Sequence, residues 1–420
     1  MNRLPAILVT LSALLGAVPF VRARTRAEAV LLWPPKLLGG ALSPIVGLVG
    51  ALAAAAGLAR RDWTLAVPGL LGAALAARLV ADLPDADQAL AGLPASGGEC
   101  AAPSKQGSLV PVPRSGRSGS AEFERNVVIG RKPESGRALR ADLWPASTDL
   151  PSGLGLIYAH GSGWRVGDKD MGTRPFFRRL AAQGHVVLDI AYSLWPTAGL
   201  PAMVVEFNQA ILWLKENGPA YGVDPERIVV MGGSAGAHLA LLAAYTPGNP
   251  AFRPSGAVGD TTVHGVVAFY PPVDLLALDG DIRSGPPPVP GRVDRFALAV
   301  LENLFMVGHA GGRQEQVENY LGEMLGGTPA EIPDTYRLLS PIYHAGAHCP
   351  PTLLLQGSDD LFGLAPAVRR LHECLRSAGV PSALLEFPHT DHAFDLLLPR
   401  VSPATRAATR AVERFLALLT

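Results

Sequence analysis

The chain has 420 residues, enough for one large domain or two of medium size, and its 36 basic residues equal its 36 acidic ones. That balance gives no electrostatic reason to bind nucleic acid. Three cysteines, Cys100, Cys349 and Cys374, are too few and odd in number for a disulfide framework, and no cluster of Cys and His has metal-ligand spacing.

Charged residues make up 17% of the chain, against roughly 25% in average soluble proteins. Most of the deficit falls before Asp82. The runs Leu4–Val21, Leu37–Ala59 and Trp63–Ala77 carry no charged residue. About 20 apolar residues cross the hydrocarbon core of a bilayer, and the middle run supplies them alone. The first run has Pro5 and Pro19 near its ends. The third, extended by Leu79–Ala81, spans only if Arg78 reaches the interface. Residues 1–81 are therefore expected to form a transmembrane helical segment of two to three spans. Buried helices of a soluble core fit three clustered runs with basic punctuation less well. A cleaved signal peptide is disfavoured by the lone Arg3 ahead of the first run and the poor cleavage site at Val21–Ala23.

Arg22, Arg24, Arg26 and Lys36 form the more basic loop, placed in the cytoplasm by the positive-inside rule. The rest of the chain returns to that side if runs two and three both cross, and lies outside if the third does not. Residues 82–122 read as a linker. Asp82, Asp85 and Asp87 open an acidic stretch that is helical up to Leu90, followed by Gly, Ser and Pro with scattered Arg.

Residues 123–420 alternate strands and helices. Strands are predicted at Asn126–Ile129, Leu139–Leu143, Leu154–Ala159, Val186–Ala191, Ile228–Met231, Val263–Phe269, Thr352–Leu355 and Ala383–Phe387. Helices are predicted at Pro201–Glu216, Ser234–Ala244, Ala365–Ala378 and Ala404–Leu418. This order implies an α/β domain with a mostly parallel sheet, covered on both faces. Reactive groups then gather at the carboxyl ends of the strands. Cys349 and Cys374 are expected to be buried packing residues, and Cys100 lies in a loop.

The segment Ile228–Leu239 reads strand, Gly232-Gly233-Ser234-Ala235-Gly236, helix. A serine on a sharp strand-to-helix turn has its hydroxyl exposed, and the new helix points its N-terminus at developing negative charge. A glycine-rich turn with an ordinary serine is the plainer alternative, and the flanking strand and helix weigh against it. A serine hydroxyl needs a general base, oriented by a carboxylate. With a nucleophile on such a turn, acid and then histidine follow in the chain. Asp360 ends the strand and turn Leu353–Asp360 and is the first choice of acid, ahead of Asp359. Either aspartate can instead only shape the turn. After the last strand, His392 is preferred as base over His389, whose alternative is a solvated loop residue. His238 and His264 precede any acid and are expected to be structural. The loop Tyr158–Trp164 offers backbone N–H groups of Gly161 and Ser162 which, with Ala235, can form an oxyanion hole. Gly163 and Trp164 are candidates to line a substrate pocket, and His160 is expected to brace the loop.

At these residues the sequence resembles the α/β-hydrolase esterase/lipase family, near its hormone-sensitive-lipase-like and acetyl-esterase branches. The resemblance rests on His160–Trp164, Gly167-Asp168-Lys169, Gly232–Leu239, Gly357–Asp360 and His392-Ala393-Phe394, and covers residues 123–420. With the apolar N-terminal segment included, the layout is similar to membrane-anchored esterases of mycobacteria and other actinobacteria. It implies an α/β-hydrolase fold and a serine carboxylic-ester hydrolase without metal or organic cofactor. Two departures stand out. Ser162 replaces the usual glycine, and Tyr192-Ser193-Leu194-Trp195-Pro196 lacks the family arginine that braces the loop. A cap-like insertion near 275–340, with Pro286–Pro288 and an apolar helix at Phe296–Val307, can lid the pocket or pack on the domain or membrane. The expected substrate is a small-molecule or lipid-like ester. An amidase or peptidase, an acyltransferase and a non-catalytic membrane-tethered binding module remain open, and acyl-chain length and oligomeric state are not read.

Overall fold

The computed structural model describes residues 3–93, 123–148, 150–256, 259–284 and 320–420. Cys100, most of the expected linker, Pro286–Pro288 and the expected helix Phe296–Val307 lie outside the described residues.

The N-terminal segment folds as α1 (Leu4–Ala17), α2 (Arg26–Ala41), α3 (Ser43–Arg60), α4 (Trp63–Ala81) and the short α5 (Ala86–Leu90). Two expectations are corrected here. The basic stretch between the first two apolar runs is helix α2 rather than a loop, and the run Leu37–Ala59 is divided between α2 and α3. The start of α2 is signalled by Thr25, whose hydroxyl accepts from the Glu28 N–H at 3.1 Å, while the Glu28 carboxylate accepts from the Arg24 N–H at 2.7 Å. The break follows from Pro44, which suits a first helical turn but disfavours helix before it.

By length and composition, Ser43–Arg60 and the stretch beginning at Trp63 can each cross a membrane. Small residues join α3 to α4. Gly50, Ala54 and Gly57 are buried against Ala66, Gly69 and Gly72. A Cβ on Gly69 would lie 2.6 Å from the Ala54 nitrogen, so the two backbones touch.

The α/β domain is built on one sheet of β1 (Glu124–Arg131), β2 (Ala138–Trp144), β3 (Gly155–Ala159), β4 (Val186–Ile190), β5 (Ile228–Gly233), β6 (Gly265–Phe269), β7 (Thr352–Gly357) and β8 (Ser382–Phe387). The spatial order is β1-β2-β4-β3-β5-β6-β7-β8. Pairings β1–β2 and β2–β4 are antiparallel and the others parallel. Every residue of β3, β5, β6 and β7 is buried, as strands covered on both faces require. Helices α7 (Leu200–Asn217) and α8 (Ala235–Tyr245) pack on one face. The helix α6 (Arg174–Ala182), the C-terminal helix Pro403–Leu419 and α5 cover the other. Register aligns Ala159 with Gly232, Gly233 with Phe269, and Gly357 with Phe387. The loops leaving β3, β5, β7 and β8 therefore emerge along the same sheet edge.

Cys349 is buried as expected, but Cys374 is exposed, because it faces outward on the helix Ala365–Ser377.

Candidate active site

Ser234 occupies the turn between β5 and α8 with φ 52° and ψ −119°, a conformation rare for any residue with a side chain. It is held there by donation of its N–H to the Phe269 carbonyl at 2.9 Å. The turn needs its glycines for space. A Cβ on Gly232 would meet the Gly236 carbonyl carbon at 2.4 Å, and one on Gly236 would meet the Ala159 oxygen at 2.0 Å. The helix begins at Ala235, one residue later than expected, because Ser234 itself is not helical.

His392 comes from the loop after β8. Its Nε2 lies 2.9 Å from Ser234 Oγ and its Nδ1 lies 2.8 Å from Asp360 Oδ2. An ionised carboxylate only accepts, so the proton belongs on Nδ1 and leaves Nε2 to accept from the hydroxyl. Asp360 also accepts from Gln356 Nε2 at 2.9 Å and from the Phe362 N–H at 2.9 Å. The imidazole is packed between Tyr270, with ring centres 4.5 Å apart, and Phe362, at 4.8 Å. The Tyr270 hydroxyl donates to Asp395 at 2.6 Å. Burial raises the pKa of both Tyr270 and Asp395.

The alternatives have other partners. Asp359 pairs with Lys36 at 3.0 Å. His389 is half-buried rather than free in a loop: its Nε2 lies 3.3 Å from Asp82 and its ring packs on Phe20 at 4.5 Å. His238 is buried beneath the site, its Nε2 bonded to the Leu339 carbonyl at 2.7 Å. Desolvation takes its pKa down to about 4. His264 bonds the Leu419 carbonyl at 3.2 Å.

Asp391 went unnoticed in the sequence. It is buried, and its Oδ1 accepts from both the Leu361 and His392 N–H groups at 2.8 Å. It thereby ties the acid loop to the histidine loop, and burial pushes its pKa up to about 7. A carboxylate one residue before the expected base was the only local signal.

The loop after β3 lies against Ser234. A Cβ on Gly161 would be 3.3 Å from the Ser234 Cβ. Ser162, Gly163 and Trp164 all have positive φ, at 79°, 60° and 61°, which turns the backbone tightly beside Ser234. The Ser162 hydroxyl faces away, toward Met171 Sδ at 3.4 Å. Trp164 is 3% exposed and packs edge-on to His238, so it backs the site from within the core. His160 stacks on Tyr192, and its Nδ1 lies 2.9 Å from the Gly161 carbonyl. Desolvation lowers its pKa to about 4, so it is neutral. Without the family arginine, the Tyr192 hydroxyl braces the loop by donating to the His160 carbonyl at 2.9 Å. Ser193 donates its N–H and hydroxyl to the buried Glu206, each at 2.6 Å. Among the described residues, no group of three or more His, Cys, Asp or Glu can hold a metal ion.

Residues 145–367 match the BD-FAE family model. Esterase LipQ of Mycobacterium tuberculosis is 30% identical over 288 residues, covering 68% of this chain and 60% of that protein. Esterase LipC of the same organism is 30% identical over 279 residues, covering 65% and 60%. The chain thus spans about 60% of the length of these curated relatives. A propionate-bound esterase from the planctomycete Thermogutta terrifontis has a similar fold, with a TM-score of 0.52, 21% identity and coverage of 70% of this chain and 93% of that one. The match over more than half of its length means that the chain belongs to the BD-FAE family, an α/β-hydrolase esterase family.

Proposed function

We propose that this protein is a membrane-anchored serine carboxylic-ester hydrolase of the esterase/lipase type, acting on apolar acyl esters. The observation that carries this reading is one imidazole bridging Ser234 Oγ at 2.9 Å and Asp360 Oδ2 at 2.8 Å. Ser234 attacks the ester carbonyl as His392 Nε2 removes its proton. Asp360 holds the imidazole and stabilises it when charged. The N–H groups of Gly161, Ser162 and Ala235 receive the tetrahedral oxyanion. The imidazolium then protonates the leaving alcohol, and water activated by the same base releases the acid.

Anchoring is supported by α3 and α4, most of whose large apolar side chains, Leu48, Leu52, Leu70 and Leu71 among them, face outward. Leu48 and Leu52 are 62% and 64% exposed. A lipid bilayer beside the site favours lipid-like esters. The curated relatives carry esterase names, which agrees with this substrate class.

The test is fluorophosphonate labelling of membranes carrying the full chain, compared with Ser234→Ala, alongside hydrolysis of short- and long-acyl esters. The wild type is expected to be labelled, to stay in the membrane pellet after a carbonate wash and to dissolve in detergent. Ser234→Ala is expected to lose labelling, and its kcat to fall at least about 10³-fold. Labelling that survives the substitution would remove Ser234 from the reaction.

A further inference from the structure

The N-terminal segment does more than precede the α/β domain: α2 reaches both loops that carry the acid and the base. Trp33 Nε1–H donates to the His392 carbonyl oxygen at 2.7 Å in a buried bond. The His392 N–H is already taken by Asp391. The backbone of the base is therefore pinned on both sides, once by its own loop and once by a residue far away in the chain. Three residues after Trp33, Lys36 places its ammonium 3.0 Å from Asp359 Oδ2, with the lysine side chain only 3% exposed. Asp359 adjoins Asp360, and its own N–H donates to the Thr390 carbonyl, two residues before His392. A lysine this buried is tolerated only with a partner charge. Val30 and Trp33 pack on Leu361, and Phe362 and Ala393 lean on the same cluster. A cavity of about 710 Å³, lined in part by Arg22, Thr25, Ala29, Lys36, Asp359 and His389, lies beside these contacts. The helix therefore grips the loops at a few discrete points rather than along a continuous packed face.

We infer that Trp33 and Lys36 are positioning residues, and that α2 is a clasp keeping the Asp360 and His392 loops in register with Ser234. This rests on the Ser234–His392–Asp360 reading above. It makes hydrolysis depend on the N-terminal helices being seated on the domain, and so links the state of the membrane segment to the geometry of the base. A base displaced by about 1 Å slows such a reaction up to about 10²-fold. Neither residue belongs to the triad or to the loop after β3, so substrate binding is expected to be unaffected.

The test uses the full chain in detergent or vesicles. Trp33→Phe keeps an aromatic ring but removes the donor. Lys36→Met keeps the stem but removes the charge. Trp33→Phe is expected to lower kcat about tenfold, the fold-change given by one lost buried hydrogen bond. KM is expected to stay within about twofold, and fluorophosphonate labelling of Ser234 to slow in parallel. Lys36→Met and Asp359→Asn are each expected to lower kcat, and the double variant to recover much of it, because neither charge is then left buried alone. Wild-type kcat and labelling rate in Trp33→Phe would overturn the clasp. If that variant fails to fold, the Lys36–Asp359 pair decides: recovery in the double variant supports the clasp, and additive or absent losses overturn it. A wild type that is not labelled at Ser234 would instead defeat the underlying triad reading.

Discussion

The two regions of the molecule use apolar residues in opposite ways. In the α/β domain the bulk is inside: Phe177, Phe207, Phe252 and Phe387 are each fully buried. In α3 and α4 small residues such as Gly50, Ala54, Gly57, Ala66 and Gly69 are inside and Leu48, Leu52, Leu70 and Leu71 are outside, with Val46 and Leu79 buried among the small ones. Water drives large apolar side chains inward. Lipid gives no such push, and helices in it associate through close backbone approach. The contrast is the one expected if the two regions meet different solvents, as the proposed anchoring requires. It also predicts which kind of substitution hurts each one: removal of volume in the domain, addition of volume in the helices.

The largest stability effect is expected from Phe415→Ala. Phe415 is 1% exposed in the layer between the C-terminal helix and the sheet. Its loss should lower unfolding stability by about 3–5 kcal/mol, seen as a fall in the melting midpoint.

The second contrast is titration, since the chain before Leu93 contains no histidine. His238 is held down to about 4 by burial, against roughly 6.5 when unfolded. Between pH 6.5 and pH 4 the unfolded chain takes up a proton that the folded chain refuses, so the stability from this neutral imidazole is lost as pH falls. Relative to wild type, His238→Gln should therefore gain up to about 3 kcal/mol between pH 7 and pH 4. Asp391, pushed up to about 7 by burial, acts in the opposite direction in both proteins and cancels from the difference. Parallel melting curves across that range would show that His238 titrates normally.

The smallest of the three is Gly69→Leu, expected to cost about 1–3 kcal/mol by forcing α4 from α3, where a Cβ already meets Gly50 and Ala54 backbone within 2.7 Å. Detergent-dependent loss of the α3–α4 contact, read by crosslinking, would check it. An unaffected pair would mean that these helices do not pack as described.

Much of the sheet was legible because strands buried on both faces are short apolar runs bounded by turns. Ser234, Asp360 and His392 were legible as candidates because each sits in a turn or loop just after a short apolar strand, and the structure brings the three within hydrogen-bond distance. The helix α2 was not. Pro34 and Pro35 lie inside it, and its basic residues resemble a loop between spans. The Thr25-Arg26-Ala27-Glu28 capping pattern was the available signal. Trp33 and Lys36 could not be assigned from pattern at all, since their partners lie 359 and 323 residues away. The bond between Ser193 and Glu206 was hidden for a similar reason: nothing in either segment alone indicates that the two meet.

The glycines around Ser234 limit how this scaffold can be redesigned. Gly232 and Gly236 admit no side chain, because backbone atoms occupy the space. Ser234 and the loop beside it are thus a single welded backbone unit. Asp360 and His392, by contrast, hang on side-chain bonds from Gln356, Asp391 and Trp33. Side-chain substitutions can therefore move Asp360 and His392, whereas they cannot move the backbone around Ser234.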